Sequence, residues 1–266
     1  MKFLKLVFIV SVAFLFIKCE NENEINESLE TNTVDNETLA KITKLGFDTV
    51  NYSVSMSDDK KYFNVEEDIS FPVSYLDNMA ENGQSKQRRW VNIVNCDQIR
   101  FITVFNNLPA STARNAVAVA MRNWNEIDKS NIRFEFTSDI NSAEIIISNG
   151  PLGDGTLARA TFPENGVPGK FIRLDLNQFS NLNFPQWRST IAHELGHCIG
   201  FAHTQGSGAN GPVAGEIFIV GTPGVDDNSL MNARRGGTVR VLTDGDKRAA
   251  RRMYNLNFAE RLCQNF

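Results

Sequence analysis

The residues with the clearest chemical potential in this sequence are its histidines. The chain has 3 of them, and all lie within residues 193–203, which read HELGHCIGFAH. Two imidazoles four residues apart on a helix share one face, so His193 and His197 can reach the same metal ion. Gly200 can adopt a positive φ and turn the chain back, which would bring in His203 as a third ligand. Three neutral nitrogens at about 2.1 Å leave one zinc position open, as a catalytic site requires.

Glu194 follows the first histidine directly and could act as a general base at the same metal. A carboxylate in that place can take a proton from water as the water attacks a peptide carbonyl, and can then deliver it to the leaving amine. The pattern therefore predicts a zinc-dependent endopeptidase that acts on proteins or peptides.

Two alternatives to this prediction stay open. In the first, the chain is a zincin whose third ligand is a glutamate, for which Glu216 is the nearest downstream candidate. In the second, the chain is a surface binding protein that keeps zinc for stability or adhesion and hydrolyses nothing. Glu194 argues against the second alternative, because a structural zinc site has no use for a general base.

The pattern H-E-x-x-H-x-x-G-x-x-H at residues 193–203 resembles the metzincin clan of zinc metallopeptidases, whose members also have a methionine turn beneath the zinc. Residues 229–232, which read SLMN, resemble that turn, so the resemblance implies that Met231 lies under the metal. It also implies one catalytic Zn²⁺ with Glu194 as general base and three ligands, His193, His197 and His203.

Two longer stretches make the resemblance more specific. Residues 197–204 and 221–232 are similar to a bacterial group, the HEIGH-type metallopeptidases, with Leu195 in place of the isoleucine of that name. Astacins and serralysins have a tyrosine two residues after the turn methionine, but this chain has Ala233, so no tyrosine is expected to assist the metal. A second zinc is not expected either, since no histidine is left over. Ca²⁺ stays open, because three loop residues could contribute oxygens: Asp154, Asp226 and Asp227.

The resemblance also implies where a substrate would bind. Residues 155–163 resemble the edge strand along which metzincins hold an extended peptide by backbone pairing. An ordinary solvent-facing edge strand is the alternative. The residues expected to pair with substrate are Leu157, Ala158, Arg159 and Ala160.

The amino terminus predicts export. Residues 1–5 are a short basic start, residues 6–17 are continuously apolar, and Cys19 follows. This organisation is typical of a secretory signal too short to span a bilayer, and the residues around Cys19 resemble a bacterial lipoprotein cleavage box. We therefore expect a signal peptide at residues 1–18, a lipid anchor on Cys19 and an outer-membrane or cell-surface location. A plain signal peptide followed by secretion is the alternative.

The charge of the chain is concentrated just after this signal. Residues 20–40 contain seven acids and no Lys or Arg, so we expect residues 19–42 to be a disordered acidic tether. The formal net charge of the chain is -4, and beyond residue 40 there are 24 acids and 24 bases. A neutral body with 42% hydrophobic residues predicts a globular domain with no basic patch for nucleic acid.

Residues 43–89 have weak hydrophobic patterning and are predicted to be a small prosegment. Their last part, residues 81–89, is polar and contains glycine, so we expect a domain boundary or an exposed cleavage site within this stretch, which ends with Arg88 and Arg89. The catalytic domain is then residues 90–266. If the prosegment is inhibitory, the enzyme is latent until the segment is cleaved.

Strands and helices after residue 90 follow an order that predicts an α+β fold. Apolar residues at helical spacing predict a long backing helix over residues 109–127, the zinc helix starts near Trp187, and a capping pattern begins a final helix at Thr243. We expect a metzincin-like zincin fold, with a twisted mixed sheet, the two helices, and a small carboxy-terminal lobe that holds the methionine turn and the final helix.

Three cysteines remain if Cys19 carries a lipid, and an exported protein can oxidise two of them. A disulfide between Cys96 and Cys263 would clamp the two ends of the folded body. A disulfide between Cys96 and Cys198 is the alternative, and the sequence does not choose between them.

Overall fold

The computed structural model describes most of the chain after residue 33. The described residues are 34–44, 49, 53–65, 68–76, 87–109, 111–153, 155–204, 216–219, 222, 226–233 and 239–254. The chain divides into units 1–31 and 32–266, and all described residues belong to the second. The predicted signal peptide and Cys19 therefore lie outside the described residues. None of the helices that are described is long and apolar enough to cross a membrane.

The described residues form five α-helices and ten β-strands, which are numbered in chain order. The helices are α1 (Asn36–Lys44), α2 (Ser111–Asn125), α3 (Leu176–Phe179), α4 (Phe184–Cys198) and α5 (Asp244–Tyr254). The strands are β1 (Ser55–Met56), β2 (Tyr62–Val65), β3 (Ile69–Pro72), β4 (Arg88–Trp90), β5 (Ile102–Asn107), β6 (Phe134–Thr137), β7 (Ile145–Asn149), β8 (Ala158–Thr161), β9 (Phe171–Leu174) and β10 (Glu216–Phe218).

Eight strands form one mixed sheet with the order β1-β2-β3-β8-β9-β7-β5-β6, and β4 pairs with β10 apart from it. Strands β6, β5, β7 and β9 run parallel to one another, whereas β8 is antiparallel to β9. Burial alternates along the central strands, so that Ile145 and Ile147 of β7 are fully buried in the main core. The predicted α+β fold with a mixed sheet is confirmed.

Helix α2 is the predicted backing helix, and it packs against α4. Trp124 near its end is fully buried and donates its indole N–H to the carbonyl of Ala192 at 2.8 Å. This bond satisfies a buried donor and fixes α2 to the helix that carries two of the histidines. The buried residues of α2 recur at helical spacing, as predicted: Ala113, Ala116, Val117, Ala120, Met121 and Trp124.

Helix α4 begins at Phe184, slightly before the predicted start near Trp187, because a capping box precedes it. The side chain of Asn183 accepts a hydrogen bond from the backbone N–H of Gln186 at 3.1 Å. In return, the backbone N–H of Asn183 donates to Oε1 of Gln186 at 2.7 Å. The two bonds satisfy backbone donors that a helix start leaves unpaired.

Helix α1 shows that the prediction of a disordered tether over residues 19–42 is wrong in its last part. Residues 36–42 are helical, although the sequence predicted disorder through residue 42. Asp35 accepts a hydrogen bond from the backbone N–H of Thr38 at 2.8 Å, and Ile42 is fully buried in an apolar cluster with Phe63. Burial of Ile42 offsets the entropic cost of ordering, which composition alone does not reveal. The predicted tether before residue 34 lies outside the described residues.

Strands β1, β2 and β3, which belong to the predicted prosegment, continue the sheet of the predicted catalytic domain. Strand β3 pairs in parallel with β8, with Ile69 opposite Ala160 and Ser70 opposite Thr161. The prosegment, as predicted from residues 43–89, is thus packed onto the body of the protein along a shared strand edge.

The prediction of a boundary or exposed cleavage site within residues 81–89 is wrong for residues 87–89, because these residues are part of the folded body. Gln87 and Arg88 are 1% and 2% exposed, and β4 pairs with β10. The backbone N–H of Ala202, the neighbour of His203, donates to the carbonyl of Arg88 at 3.1 Å. A boundary before the catalytic domain must therefore precede Gln87, and residues 77–86 lie outside the described part.

The cysteines exclude one of the two predicted pairings. Cys96 forms a disulfide, whereas Cys198 is a buried free thiol in α4. The alternative pairing of Cys96 with Cys198 is therefore wrong. Cys263 lies outside the described residues, so its pairing with Cys96 stays a prediction.

Candidate active site

Two of the three imidazoles come from consecutive turns of helix α4. The ring centroids of His193 and His197 are 4.5 Å apart. The helix is seated by Leu195 and Ile199, both fully buried. The side chain of His197 is fully buried, whereas that of His193 is 12% exposed, so solvent reaches the pair from the His193 side.

Gly200 provides the predicted turn that ends α4. Its φ is +90°, and a Cβ there would come within 3.2 Å of the carbonyl oxygen of Asn92. The turn brings His203 back to the helix, where its Nε2 lies 3.2 Å from Nε2 of His193. The three histidines predicted to act together are therefore brought together.

His203 supplies the third imidazole of this cluster, and the side chain of the alternative ligand, Glu216, lies outside the described part of the structure. Glu216 begins β10, and its backbone pairs with Trp90 of β4. Within the described part of the chain, one group of His, Cys, Asp and Glu residues has ligand atoms all within 4.8 Å of one another. Its members are Asp68, His193, His197 and His203.

Backbone carbonyls orient two of the rings. Nδ1 of His193 lies 2.7 Å from the carbonyl oxygen of Leu230, and Nδ1 of His197 lies 2.8 Å from that of Phe201. Because a carbonyl can only accept, each Nδ1 carries the proton and donates. Nε2 of each of these two rings is then the nitrogen that is left to bind a metal ion.

Asp68 is the member of the cluster that the sequence analysis missed. Its Oδ2 lies 3.2 Å from Nε2 of His193 and 3.2 Å from Nε2 of His203, and 4.0 Å from Nε2 of His197. The residue directly precedes β3, so the pairing of β3 with β8 carries it to the histidines. No local signal distinguishes Asp68 from the other acids of the chain, because its partners are more than a hundred residues away.

Glu194 is buried at the same site, with 2% of its surface exposed. Burial, and then the negative charge of Asp68, raise the pKa of the Glu194 carboxyl well above its usual value. A carboxylate with a raised pKa takes up a proton more readily, as a general base must. Burial also lowers the pKa of His197 well below its usual value, with help from His193 and His203, so this ring is neutral.

The unpaired polar atoms of the site fit a cation. Nε2 of His197 and Oε2 of Glu194 are buried and have no hydrogen-bond partner among the described residues. Burial alone would raise the pKa of Asp68, but His203 and His193 hold it below the usual range, so this group is a carboxylate. Neutral imidazoles with one carboxylate are a donor set that suits a divalent transition metal.

The predicted methionine turn packs against helix α4. Met231 is fully buried under α4, where a Cβ added at Gly196 would lie 2.5 Å from its Sδ. The carbonyl of Met231 also accepts a hydrogen bond from the backbone N–H of Thr204 at 2.8 Å. The turn therefore contacts both the helix that carries His193 and the residue that follows His203.

The predicted substrate strand is not a free edge. Strand β8 begins at Ala158 and is paired on both sides, with β9 and with β3. Strand β3 covers the side on which an added peptide would pair, and Asp68 at its start is the residue that enters the histidine cluster. The other expected substrate residues, Leu157, Arg159 and Ala160, lie in or beside this doubly paired strand.

The residues suggested for calcium do not form a cluster of this kind in the described structure. Oδ2 of Asp226 accepts a hydrogen bond from the hydroxyl of Thr243 at 2.5 Å. Asp154 lies outside the described residues. Calcium therefore stays an open possibility from the sequence alone.

A comparison with known protein families identifies the class of protein to which the chain belongs. A family model described as "Dual-action HEIGH metallo-peptidase" matches residues 63–238, and the chain belongs to this family of metallopeptidases. It is a metalloprotease, a hydrolase of peptide bonds, as the sequence predicted.

Among solved structures, two with the titles "Structure of Myroilysin" and "Crystal structure of myroilysin" are similar to the chain. The first has 13% identity and a TM-score of 0.41, and covers 58% of this chain and 79% of its own. The second has 16% identity and a TM-score of 0.40, and covers 58% of this chain and 82% of its own. No curated protein sequence matches the chain.

Proposed function

We propose that this metallopeptidase is an exported zinc endopeptidase whose metal is held by His193, His197 and His203 and whose general base is Glu194. The convergence of three imidazoles beside a buried glutamate supports the proposal most directly, with Nε2 of His193 3.2 Å from Nε2 of His203. Zinc, when bound, would polarise a peptide carbonyl and lower the pKa of water.

Glu194 performs the proton transfers of the proposed reaction. Its carboxylate takes a proton from the water that attacks the scissile carbonyl, and the C–N bond then breaks as the same proton passes to the amine nitrogen. The raised pKa favours the first transfer, and burial keeps bulk water from competing for the proton. Protein or peptide substrates are the partners that this chemistry needs.

Glu194→Gln tests this role, because glutamine keeps the size of the side chain and cannot take a proton. We expect the variant to keep its metal and to lose about 10²- to 10⁴-fold in cleavage of a peptide library. Glu135→Gln, at an exposed position of β6, is the matched control and should change neither property. Unchanged cleavage by Glu194→Gln would reject the assigned role.

The same samples address the alternative of a surface binding protein. If that alternative holds, the parent chain binds zinc and hydrolyses no peptide, even after the predicted prosegment has been removed. His203→Ala addresses the zincin alternative, because loss of zinc from this variant, with retention in Glu216→Ala, would reject Glu216 as the ligand.

We further propose that the amino-terminal part of the folded chain is an inhibitory prosegment. Two contacts support this proposal: Asp68 occupies the side of the histidine cluster that faces β3, and β3 pairs along β8, where a substrate would otherwise add. Together they block the metal and the substrate strand at once. The latent state then needs a cut before Gln87, since Gln87 and Arg88 are buried in the body.

Limited proteolysis within residues 77–86 tests the prosegment. We expect little hydrolysis by the full chain and a large increase after the amino-terminal fragment is cut and separated. Asp68→Asn, which keeps the size and removes the charge, should raise the activity of the uncut chain, whereas Asp59→Asn at an exposed position of the same segment should not. Equal rates before cutting and after separation would remove the case for a prosegment.

Export with a lipid anchor is the last part of the proposal, and it is supported by the basic start, the apolar run and Cys19 in the sequence. In a bacterial host, the parent chain should partition into a detergent phase, and Cys19→Ser should move it into the aqueous phase. Cys198→Ser serves as the control for loss of a thiol. A parent chain found wholly in the aqueous phase would contradict lipidation.

A further inference from the structure

One buried carboxylate outside the cluster is connected to the metal-binding segments through the methionine turn. Asp246 lies in the first turn of α5 and is 0% exposed. Its Oδ2 accepts from the backbone N–H of Leu230 at 2.8 Å, and its Oδ1 accepts from the hydroxyl of Ser229 at 2.5 Å. The carboxylate therefore holds two successive residues of the turn.

The turn transmits this contact to the two segments that carry the histidines. The carbonyl of Leu230, whose N–H is bound by Asp246, accepts from Nδ1 of His193 at 2.7 Å. The next carbonyl, that of Met231, accepts from the backbone N–H of Thr204 at 2.8 Å. A single peptide segment is thus fixed by Asp246 on one side and fixes the ring of His193 on the other.

A simpler role for Asp246 is helix capping. The backbone N–H of Thr243 donates to Oδ2 of Asp246 at 2.9 Å, and the N–H of Asp246 donates to the hydroxyl of Thr243 at 3.1 Å. This is the reciprocal pair of a capping box, which needs no turn nearby. The bonds to Ser229 and Leu230 are additional to the cap, and Gln87 donates a further bond to Oδ1 at 3.1 Å.

We propose that Asp246 is a positioning residue for the metal site, which sets the orientation of His193 through Leu230. The proposal rests on the proposed function, because it assigns His193 to the metal. A carboxylate suits the role, since it only accepts and can satisfy all of these donors at once, whereas an amide must turn an NH₂ group toward one of them. Removal of a group bonded directly to a ligand histidine typically changes metal affinity by about 10- to 100-fold. Asp246 acts one residue further out, through Leu230, so we expect an effect at the lower end, about 10-fold.

The first test measures zinc affinity of the full chain by competition with a chelator. We expect Asp246→Ala to weaken binding by about 10-fold, the lower end for groups bonded directly to a ligand histidine. Thr243→Ala is the matched control, because it removes the capping hydroxyl and leaves the carboxylate on Leu230. It should lower the thermal midpoint while zinc affinity stays within about twofold of the parent. Equal zinc affinities of Asp246→Ala and the parent, at a temperature where both are folded, would overturn the proposal.

The second test keeps the proposal falsifiable if Asp246→Ala does not fold. Asp246→Asn has the same shape, and the chain has only 3 histidines, so a zinc-loaded sample with ¹⁵N-labelled histidine gives a simple spectrum. We expect hydrogen exchange at Nδ1 of His193 to become several-fold faster, with Nδ1 of His197 unchanged, because His197 is held by Phe201 and not by the turn. Unchanged exchange at both rings, or equal acceleration, would overturn the proposal.

The two hypotheses fail differently in these experiments. A parent chain that binds no zinc would reject the proposed function. A parent chain that binds zinc, with Asp246 variants that retain its affinity and its His193 exchange rate, would reject the positioning role alone.

Discussion

Tyr254→Phe is a sharp test of how the carboxy-terminal lobe supports the turn beyond α4. Tyr254 is the last residue of α5 and is 1% exposed. Its hydroxyl donates to the carbonyl of Ile199, the residue before Gly200, and accepts from the backbone N–H of Val94 at 3.3 Å. Phenylalanine keeps the ring and removes both bonds, so the variant isolates the contribution of the hydroxyl.

The expected loss follows from the two groups that would be left unpaired. A buried donor or acceptor without a partner costs about 1–3 kcal/mol, and both partners of Tyr254 are backbone groups near the core. Taking the lower end of this range for each of the two groups, we expect a loss of about 2 kcal/mol in the free energy of unfolding. For a body of this size, that corresponds to a fall of about 4–8 °C in the thermal midpoint.

The assay is urea unfolding followed by tryptophan fluorescence, with Tyr62→Phe as the control. Tyr62 is on β2, and its side chain is half-buried, so its hydroxyl can exchange a protein partner for water. Burial raises the pKa of Tyr254 well above its usual value, so the hydroxyl is protonated throughout the neutral range and the loss should not depend on pH there. A change below about 0.5 kcal/mol, or one no larger than that of Tyr62→Phe, would refute the reasoning.

Three further predictions concern the helix and the turn. Gly196→Ala should cost about 1–3 kcal/mol in urea unfolding, because its Cβ would lie 2.5 Å from Sδ of Met231, and an unchanged midpoint would contradict this packing. Cys198 should resist a thiol reagent until the chain unfolds, because it is fully buried and burial raises the pKa of its thiol. Peptide mapping that finds Cys198 labelled in the native state would contradict this prediction. Burial raises the pKa of Asp246 above its ordinary value of 3.8 in the folded state. The stability that protonated Asp246 contributes to the folded chain is therefore fully present below pH 3.8 and is lost as the pH rises through the folded pKa. The stability of the parent relative to Asp246→Asn should therefore be greatest in acid, and a difference that grows with pH would have the wrong sign.

The sequence predicted the local parts of the site because their spacing is a property of the backbone. Residues four apart on a helix share a face, so His193 and His197 need no tertiary information, and Gly200 marks the turn that His203 requires. The backing helix was predictable for the same reason, since its apolar residues repeat with the helical period. Boundaries moved by only a few residues, as at the capping box of Asn183.

The contacts that the sequence could not predict join distant parts of the chain. Asp68 reaches the histidines only because β3 pairs with β8, and nothing in residues 43–89 specifies that partner strand. The backbone of β8 can pair with a bound substrate peptide or with another strand of the same chain. The composition of β8 therefore could not show that β3 occupies the edge predicted for a substrate. Likewise, Arg88 is polar and yet buried, because its strand lies against the loop that carries His203.

The apolar cluster under β2 and β3 determines how the proposed prosegment could be released. Four of its buried side chains come from these strands, and they pack with residues of the body that include Ala202, the neighbour of His203. These four side chains pack against the body and β3 also pairs with β8, so the segment is held by contacts of two kinds. A cut within residues 77–86 would therefore leave the fragment seated, with Asp68 still at the histidines. Release requires further cuts that break β2 and β3, so activity should follow the loss of these strands rather than the first cleavage. The four side chains are Phe63, Val65, Ile69 and Phe71.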